Sequence, residues 1–471
     1  MKRFTTVVFN TLQFLIFLPL TILLYYILPF RFRWVLLLAA SYFFYMCFEP
    51  AYGLILLSST FICWSLSFLI NKETNKQKRK LLLVFGIIAD IGILFFFKYF
   101  NFFNETISSF FIGEDKTVFN TSALLLPIGI SFYTFKSLSY LIDVYRKVTK
   151  PENNFGYFAL YVSFFPQLVA GPIERANDLI PQLKKPAKLE EKDIEYGVLR
   201  IVWGFFKKVV VADTVAQFVN FSFGDISTAN GSQLYVALLF FAVQLYADFS
   251  GYCDIAIGTA RLFGIKLSEN FNRPYLSKSI AEYWNRWHIT LTLWIRDYVF
   301  MPLNKGVTAY WRIYLNTIII FLLIGIWHGA SLNFLVFGLI NGIIAVLQAI
   351  YKRINFLPKF KSFAGQIFLT VWTFHLLLLS GVVFRVRGFS EAVLFYKKLF
   401  TEFNFSIRNI LNGFSSYDFI ICCFVSILFV FSVFMRRDFN FKYKYLFLFT
   451  VITLIILLGR NNAETFIYFQ F

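Results

Sequence analysis

Three histidines occur in the 471-residue chain, and two sit where imidazole chemistry is useful. His288 lies in "AEYWNRWHITLTLWIRDYVFMPL", residues 281–303, where Glu282, Arg286, Arg296 and Asp297 are set among tryptophans and aliphatics. Tryptophan anchors and snorkelling arginines account for an interfacial helix, yet a histidine between Trp287 and Ile289 adds nothing to anchoring. Its side chain is the one best matched to proton transfer near neutral pH. His328 lies in "FLLIGIWHGASLNFLVFGLINGI", beside Trp327, close to the hinge of an apolar hairpin, with Gly325 and Gly329 next to it. An ionisable residue in such a run is costly, so it is a functional candidate; the alternative is a packing histidine bonded to a nearby carbonyl. His375, in "VWTFHLLLLSG", has no polar neighbours in sequence and reads as packing.

Other polar groups occur where lipid would penalise them. Asp248 and Asp254 share one apolar span, but six residues of helix set them about 120° apart, so they are not a simple carboxylate pair. Gln167, Glu174 and Arg175 surround a Gly-Pro break in "FFPQLVAGPIERAND". Broken helices at membrane depth survive only where they are buried in protein or line a cavity. A polar cavity inside a helical bundle suits a transporter or an enzyme. Transporters commonly carry inverted repeats, and none is visible.

The elements that must position these groups are membrane helices. The chain is 58% hydrophobic and only 15% charged, against about 25% charged for a soluble domain. Apolar runs of about 20 residues recur, each long enough to cross a ~30 Å hydrocarbon core. About 10–12 spans plus re-entrant and interfacial helices are predicted in one all-α polytopic domain, residues 1–471. The first run shows no small-residue cleavage site and reads as a span. The net charge is +19 (45 − 26). The lysines and arginines concentrate in short loops, as cytoplasmic anchors do, rather than in a nucleic-acid-binding patch. The five cysteines all fall in apolar stretches without metal-ligand spacing. The basic loops at 71–80, 144–152, 351–361 and 435–445 are predicted cytoplasmic, which places both termini outside and the segment 265–310 inside. The segment 155–172 is predicted to re-enter rather than cross.

"YWNRWHITLTLWIRDYVFMPL" followed by "GIWHGASLNFLVFG" resembles the two signatures of the membrane-bound O-acyltransferase family. The resemblance is nearest to its bacterial branch of alginate O-acetyltransferases. "LLPIGISFYTFKSLSYLIDVYR", "YADFSGYCDIAIGTARLFGI" and the ending "FIYFQF" support it. It implies helices wound around a tunnel in the cell (inner or plasma) membrane, with no permanently bound cofactor. An acyl thioester, acetyl-CoA or another carrier, donates from the cytoplasm, and an extracytoplasmic glycan accepts. An exported acetyltransferase is a further candidate partner. His328 matches the family's catalytic residue and His288 its frequent partner. Trp284, Asn285, Arg286, Trp287, Arg296, Asp297, Trp327, Asp248, Asp254 and Gln167 are candidates for the donor site and tunnel wall. Tyr468, in the ending, is a candidate acyl shuttle: a phenol that accepts the acyl group and passes it on. D-Alanyl transfer to teichoic acid is the alternative within the family. A pure transporter of an acyl carrier or glycan is the alternative outside it.

Overall fold

The computed structural model describes residues 9, 11–111, 127–188, 190–329, 331–354, 362–434, 439, 442–460 and 466–467. Among these the regular elements are all helices. The protein is an all-α polytopic membrane protein. Among the described residues six helices are long and apolar enough to cross a membrane, and three shorter apolar helices join them.

The chain forms two compact units. The first holds residues 1–201 and 252–268. It begins with α1 (Leu12–Ile27), α2 (Phe30–Met46), α3 (Pro50–Lys72), α4 (Lys76–Phe111) and α5 (Ile130–Tyr145). Thr11 caps α1, its Oγ1 accepting from Phe14 N, and Pro50 opens α3 at the one turn where a missing N–H costs nothing. The stretch predicted to re-enter, 155–172, holds two short pieces, α6 (Phe155–Ser163) and α7 (Phe165–Leu168), and α8 (Ala176–Leu183) follows it. None is long enough to span. Several of their polar groups bond within this unit: Glu174 accepts from Ser268 N (2.5 Å) and Ser268 Oγ (3.1 Å). Gln167 Nε2 donates to Tyr161 O (3.3 Å). Burial raises the Glu174 carboxyl to about 7. Asp254 is paired here with Arg200 at 2.8 Å.

The second unit holds residues 202–251 and 269–471. The chain enters it along α9 (Glu191–Phe205), which runs into a π-helical stretch at Phe206–Ala212 and then α10 (Asp213–Gly224). Helix α11 (Gly231–Leu262) contributes its residues up to Gly251. The Trp-rich stretch is not a continuous helix. It breaks into α12 (Ile280–Trp284), α13 (Ile289–Ile295), a π-helical turn and α14 (Met301–Leu303). Ser279 caps α12.

Next come α15 (Tyr310–His328) and α16 (Leu332–Arg353), an antiparallel hairpin. Its closeness is written in glycines. A Cβ at Gly325 would lie 2.2 Å from Phe334 O, and one at Gly338 2.3 Å from Phe321 O. Gly338 and Gly342 form a small-xxx-small stripe, which lets two membrane helices approach backbone to backbone. Ser331 caps α16 with its hydroxyl on Asn333 N (3.2 Å). The unit continues through α17 (Phe363–Arg385), α18 (Phe389–Thr401), α19 (Ile407–Leu411), α20 (Ser416–Ser432) and α21 (Lys444–Leu458).

Not every cation lies in a loop. Arg200 and Lys208 are buried, as is Lys136, whose ammonium donates to Val162 O. Charged side chains at such depth persist only with partners, and these partners are not adjacent in sequence.

Candidate active site

His288 occupies the N-cap of α13 with its backbone in the left-handed region, φ 44°. A residue bearing a Cβ stays there, at about 1–3 kcal/mol, only when its surroundings hold it. Asn270 supplies that hold. Its main-chain oxygen accepts from Ile289 N (2.9 Å). Its Oδ1 accepts from Thr290 N (3.1 Å) and Thr290 Oγ1 (2.9 Å).

This arrangement fixes the histidine tautomer. A backbone N–H can only donate, so the amide atom facing Thr290 is oxygen. His288 Nδ1 lies 3.2 Å from the same oxygen and is therefore its donor. The neutral ring carries its hydrogen on Nδ1 and its lone pair on Nε2. The ring is 99% buried, with Phe249 edge-on at 4.9 Å and the Trp327 ring at 6.2 Å. Burial pushes its pKa down to about 3, so the imidazole is neutral at physiological pH.

His328 is the last residue of α15 and is also buried. Phe384 meets its ring edge-on at 5.1 Å, and Phe337 and Trp327 lie at 6.1 and 4.8 Å.

His328 lines a cavity of about 70 Å³ together with Trp284, Trp287, Asn341 and a set of aromatic and aliphatic side chains. Two members of this wall carry buried polar atoms with no hydrogen-bond partner among the described residues: the indole N–H of Trp284 and the amide oxygen of Asn341. Asn341 is fully buried, and its Nδ2 is already committed to Phe337 O (2.9 Å). A buried polar atom left without a hydrogen bond is worth about 1–3 kcal/mol. A donor and an acceptor left open around a histidine are what a site built for a polar ligand retains.

The structure thus brings His328, Trp284 and Trp287 into one wall, with Trp327 between the two histidine rings. Within the second unit it leaves Asn285, Arg286, Arg296, Asp297 and Asp248 off that wall. Asn285 is exposed, Arg286 pairs with Glu282 at 2.6 Å one helical turn away, and Arg296 pairs with its neighbour Asp297 at 2.8 Å. Those three charged neighbours behave as surface groups. Gln167 and Asp254 belong to the first unit.

Asp248 serves a separate buried cluster. Lys208 Nζ lies 2.8 Å from both Asp248 Oδ1 and Asp213 Oδ1, and Asp248 Oδ2 accepts from Ile467 N (2.9 Å). The Phe466 ring covers the ammonium at 4.6 Å. Tyr468 lies outside the described residues.

His375 does have polar company. Its Nδ1 donates to Val371 O (2.8 Å), so its Nε2 accepts from the Tyr235 hydroxyl (3.0 Å). The tyrosine is 140 residues away, beyond the reach of a local sequence pattern. This is a satisfied packing histidine. Asn270, Asn341 and Lys208 carry no sequence signal that separates them from ordinary loop or helix residues. Only "LSENFNRP", a polar run directly before the Trp-rich stretch, hints at the first of them.

Comparison with known proteins places this geometry in a family. The model for the membrane-bound O-acyltransferase family matches residues 152–387, which include both His288 and His328. The chain is 38% identical over 399 residues to a probable alginate O-acetylase of Azotobacter vinelandii, covering 84% of this chain and 78% of that protein. It is 34% identical over 425 residues to a peptidoglycan O-acetyltransferase of Helicobacter pylori, covering 83% and 79%. A teichoic acid D-alanyltransferase of Bacillus subtilis is 29% identical over 281 residues, covering 56% and 70%. By family model and by identity over most of its length, the chain belongs to the membrane-bound O-acyltransferase family and is an O-acyltransferase.

Proposed function

We propose that the protein moves an acetyl group from a cytoplasmic thioester, acetyl-CoA or a carrier-bound equivalent, to hydroxyls of an extracytoplasmic polysaccharide. The names of the two relatives matched over more than four-fifths of the chain, an alginate O-acetylase and a peptidoglycan O-acetyltransferase, support a glycan acceptor. D-Alanyl transfer has weaker support, because the D-alanyltransferase match is lower and covers only 56% of the chain. The protein would work in the cell membrane with both termini outside, and an exported acetyltransferase could complete delivery to the polymer.

The observation that carries the proposal is the buried His328 in the wall of an apolar cavity that also holds an open donor and an open acceptor. His328 acts as general base, a role worth about 10²–10⁴-fold. It takes the hydroxyl proton as the oxygen attacks the thioester carbonyl. The C–O bond forms and the carbonyl electrons move to oxygen, which in this scheme accepts from the open Trp284 N–H. The intermediate collapses, the C–S bond breaks, and the thiolate recovers the proton from His328. His288 stays neutral and supports the donor side through Nε2. The acceptor hydroxyl of the first transfer is, in this scheme, the phenol of Tyr468. Its support is indirect: the two residues before it, Phe466 and Ile467, are buried.

His328→Gln is the direct test. Acyl esters on the surface polysaccharide, released by mild alkali and quantified, should fall by at least about a hundredfold. The variant should retain wild-type abundance and melting temperature in detergent. Wild-type ester content in His328→Gln removes the base from the scheme.

A further inference from the structure

Helix α17 contributes a row of residues to the cavity beside His328. Phe374, Leu377, Gly381 and Phe384 of α17 all line it, at spacings of three, four and three residues. That spacing is one face of a helix. Three of the four positions carry large side chains, and the third in order carries none.

Packing does not explain that glycine. At Gly325 and Gly338 a Cβ would collide with backbone, whereas among the described residues no atom lies within 4 Å of a Cβ built on Gly381. Its backbone is ordinary helix, away from the left-handed conformation that favours glycine. Mid-helix glycine is also about 0.5–1 kcal/mol less favourable than alanine. What remains is the space itself.

The size of that space is informative. An apolar cavity of about 150 Å³ takes benzene, six heavy atoms. The cavity here is about 70 Å³, so on the same scale it takes roughly three. Methyl carbon, carbonyl carbon and carbonyl oxygen are three. A four-carbon acyl chain would have to displace the Leu377 or Phe374 side chain.

We infer that Gly381 sets acyl-chain length: the gap it leaves on the α17 face seats a two-carbon acyl group against His328, and Leu377 closes the end. This rests on the acyl-transfer reading above and adds the residues that decide which acyl group is used.

The test uses the full chain in cells lacking the native copy, grown with and without propionate. Ester-linked acids are released from the surface polysaccharide and separated by mass, which reports the acyl group whatever its carrier. One methylene in an apolar pocket is worth about 10–200-fold. Gly381→Ala should therefore lower released acetate by roughly tenfold or more, and Gly381→Leu should abolish it. Gly381→Ala should melt no lower than wild type in detergent. Leu377→Ala should raise the propionate-to-acetate ratio by roughly tenfold. Wild-type acetate release by Gly381→Leu, or an unchanged ratio in Leu377→Ala, overturns the inference. His328→Gln is measured alongside. Loss of transfer there, with full transfer in Gly381→Leu, refutes the chain-length role alone. Full transfer in both refutes the acyl-transfer scheme at this site.

Discussion

Asn270 has a job that its residue type would not announce. One amide oxygen holds a strained histidine backbone, the first turn of α13 and the tautomer of the ring. Asn270→Ala should therefore impair transfer, and His288→Ala should impair it likewise. Asn270→Asp keeps the acceptor oxygen and should retain more activity than Asn270→Ala. The pH dependence follows from burial. The folded-state pKa of His288 lies at about 3, below the unfolded value of ~6.5. Between these values the unfolded chain binds the extra proton, so stability rises with pH and is lost on acidification below about 6.5. By pH 5 the loss should be of order 2 kcal/mol. Melting temperatures in detergent from pH 7.5 to 5 should fall for wild type and less steeply for His288→Asn; parallel curves would show that other groups govern acid sensitivity. Both catalytic candidates were legible in the sequence, because a histidine in an apolar run stands out by cost alone. Asn270 was not. Its effect depends on three donors converging from 18 to 20 residues away, a geometry that a polar loop does not advertise.

At the scale of elements, the α15–α16 hairpin is the support that matters most to His328. Its "GLING" stripe, residues 338–342, presses against the backbone of Phe321 and Ile318. Gly338→Leu would put a branched chain where even one carbon lies 2.3 Å from a carbonyl oxygen. The helices must separate, and the end of α15 moves with them. The expected outcome is a lower melting temperature and lost transfer together, unlike Gly381→Ala, which should lose transfer alone. A Gly338→Leu protein with both properties intact would show that the hairpin tolerates looser packing. The spans of this hairpin and the Gly-Pro break of the re-entrant segment were readable from apolar length and from breakers. The fragmentation of the Trp-rich stretch into short helices was not. Its aromatic periodicity suits one interfacial helix, and the interruption at His288 comes from the Asn270 contacts.

At the scale of the whole molecule, composition and charge placement carried the class: an all-α protein whose long apolar helices are joined by basic loops. They misplaced the cations that go inside. Lys208 reads in sequence as half of a basic pair, Lys207-Lys208, yet it is almost wholly buried between two aspartates. If Tyr468 carries the acyl group, Tyr468→Phe, which removes one oxygen and keeps the ring, should abolish polysaccharide esters. It should leave His328-dependent release of thiol from the donor slowed rather than protein abundance reduced. Undiminished esters in Tyr468→Phe would return the tail to a role in anchoring.

The cluster around Asp248 also sets an order of events during biosynthesis. Lys208 is made 40 residues before Asp248, so the ammonium is present when the carboxylate first leaves the ribosome. The amide of Ile467 follows only after another 219 residues. At ordinary elongation rates that is a wait of roughly ten to forty seconds. During this interval one oxygen of Asp248 lacks its backbone donor, and the surface later covered by Phe466 and Ile467 stays open. The segment carrying Phe466 and Ile467 thus docks onto an ion pair whose two partners were made long before it.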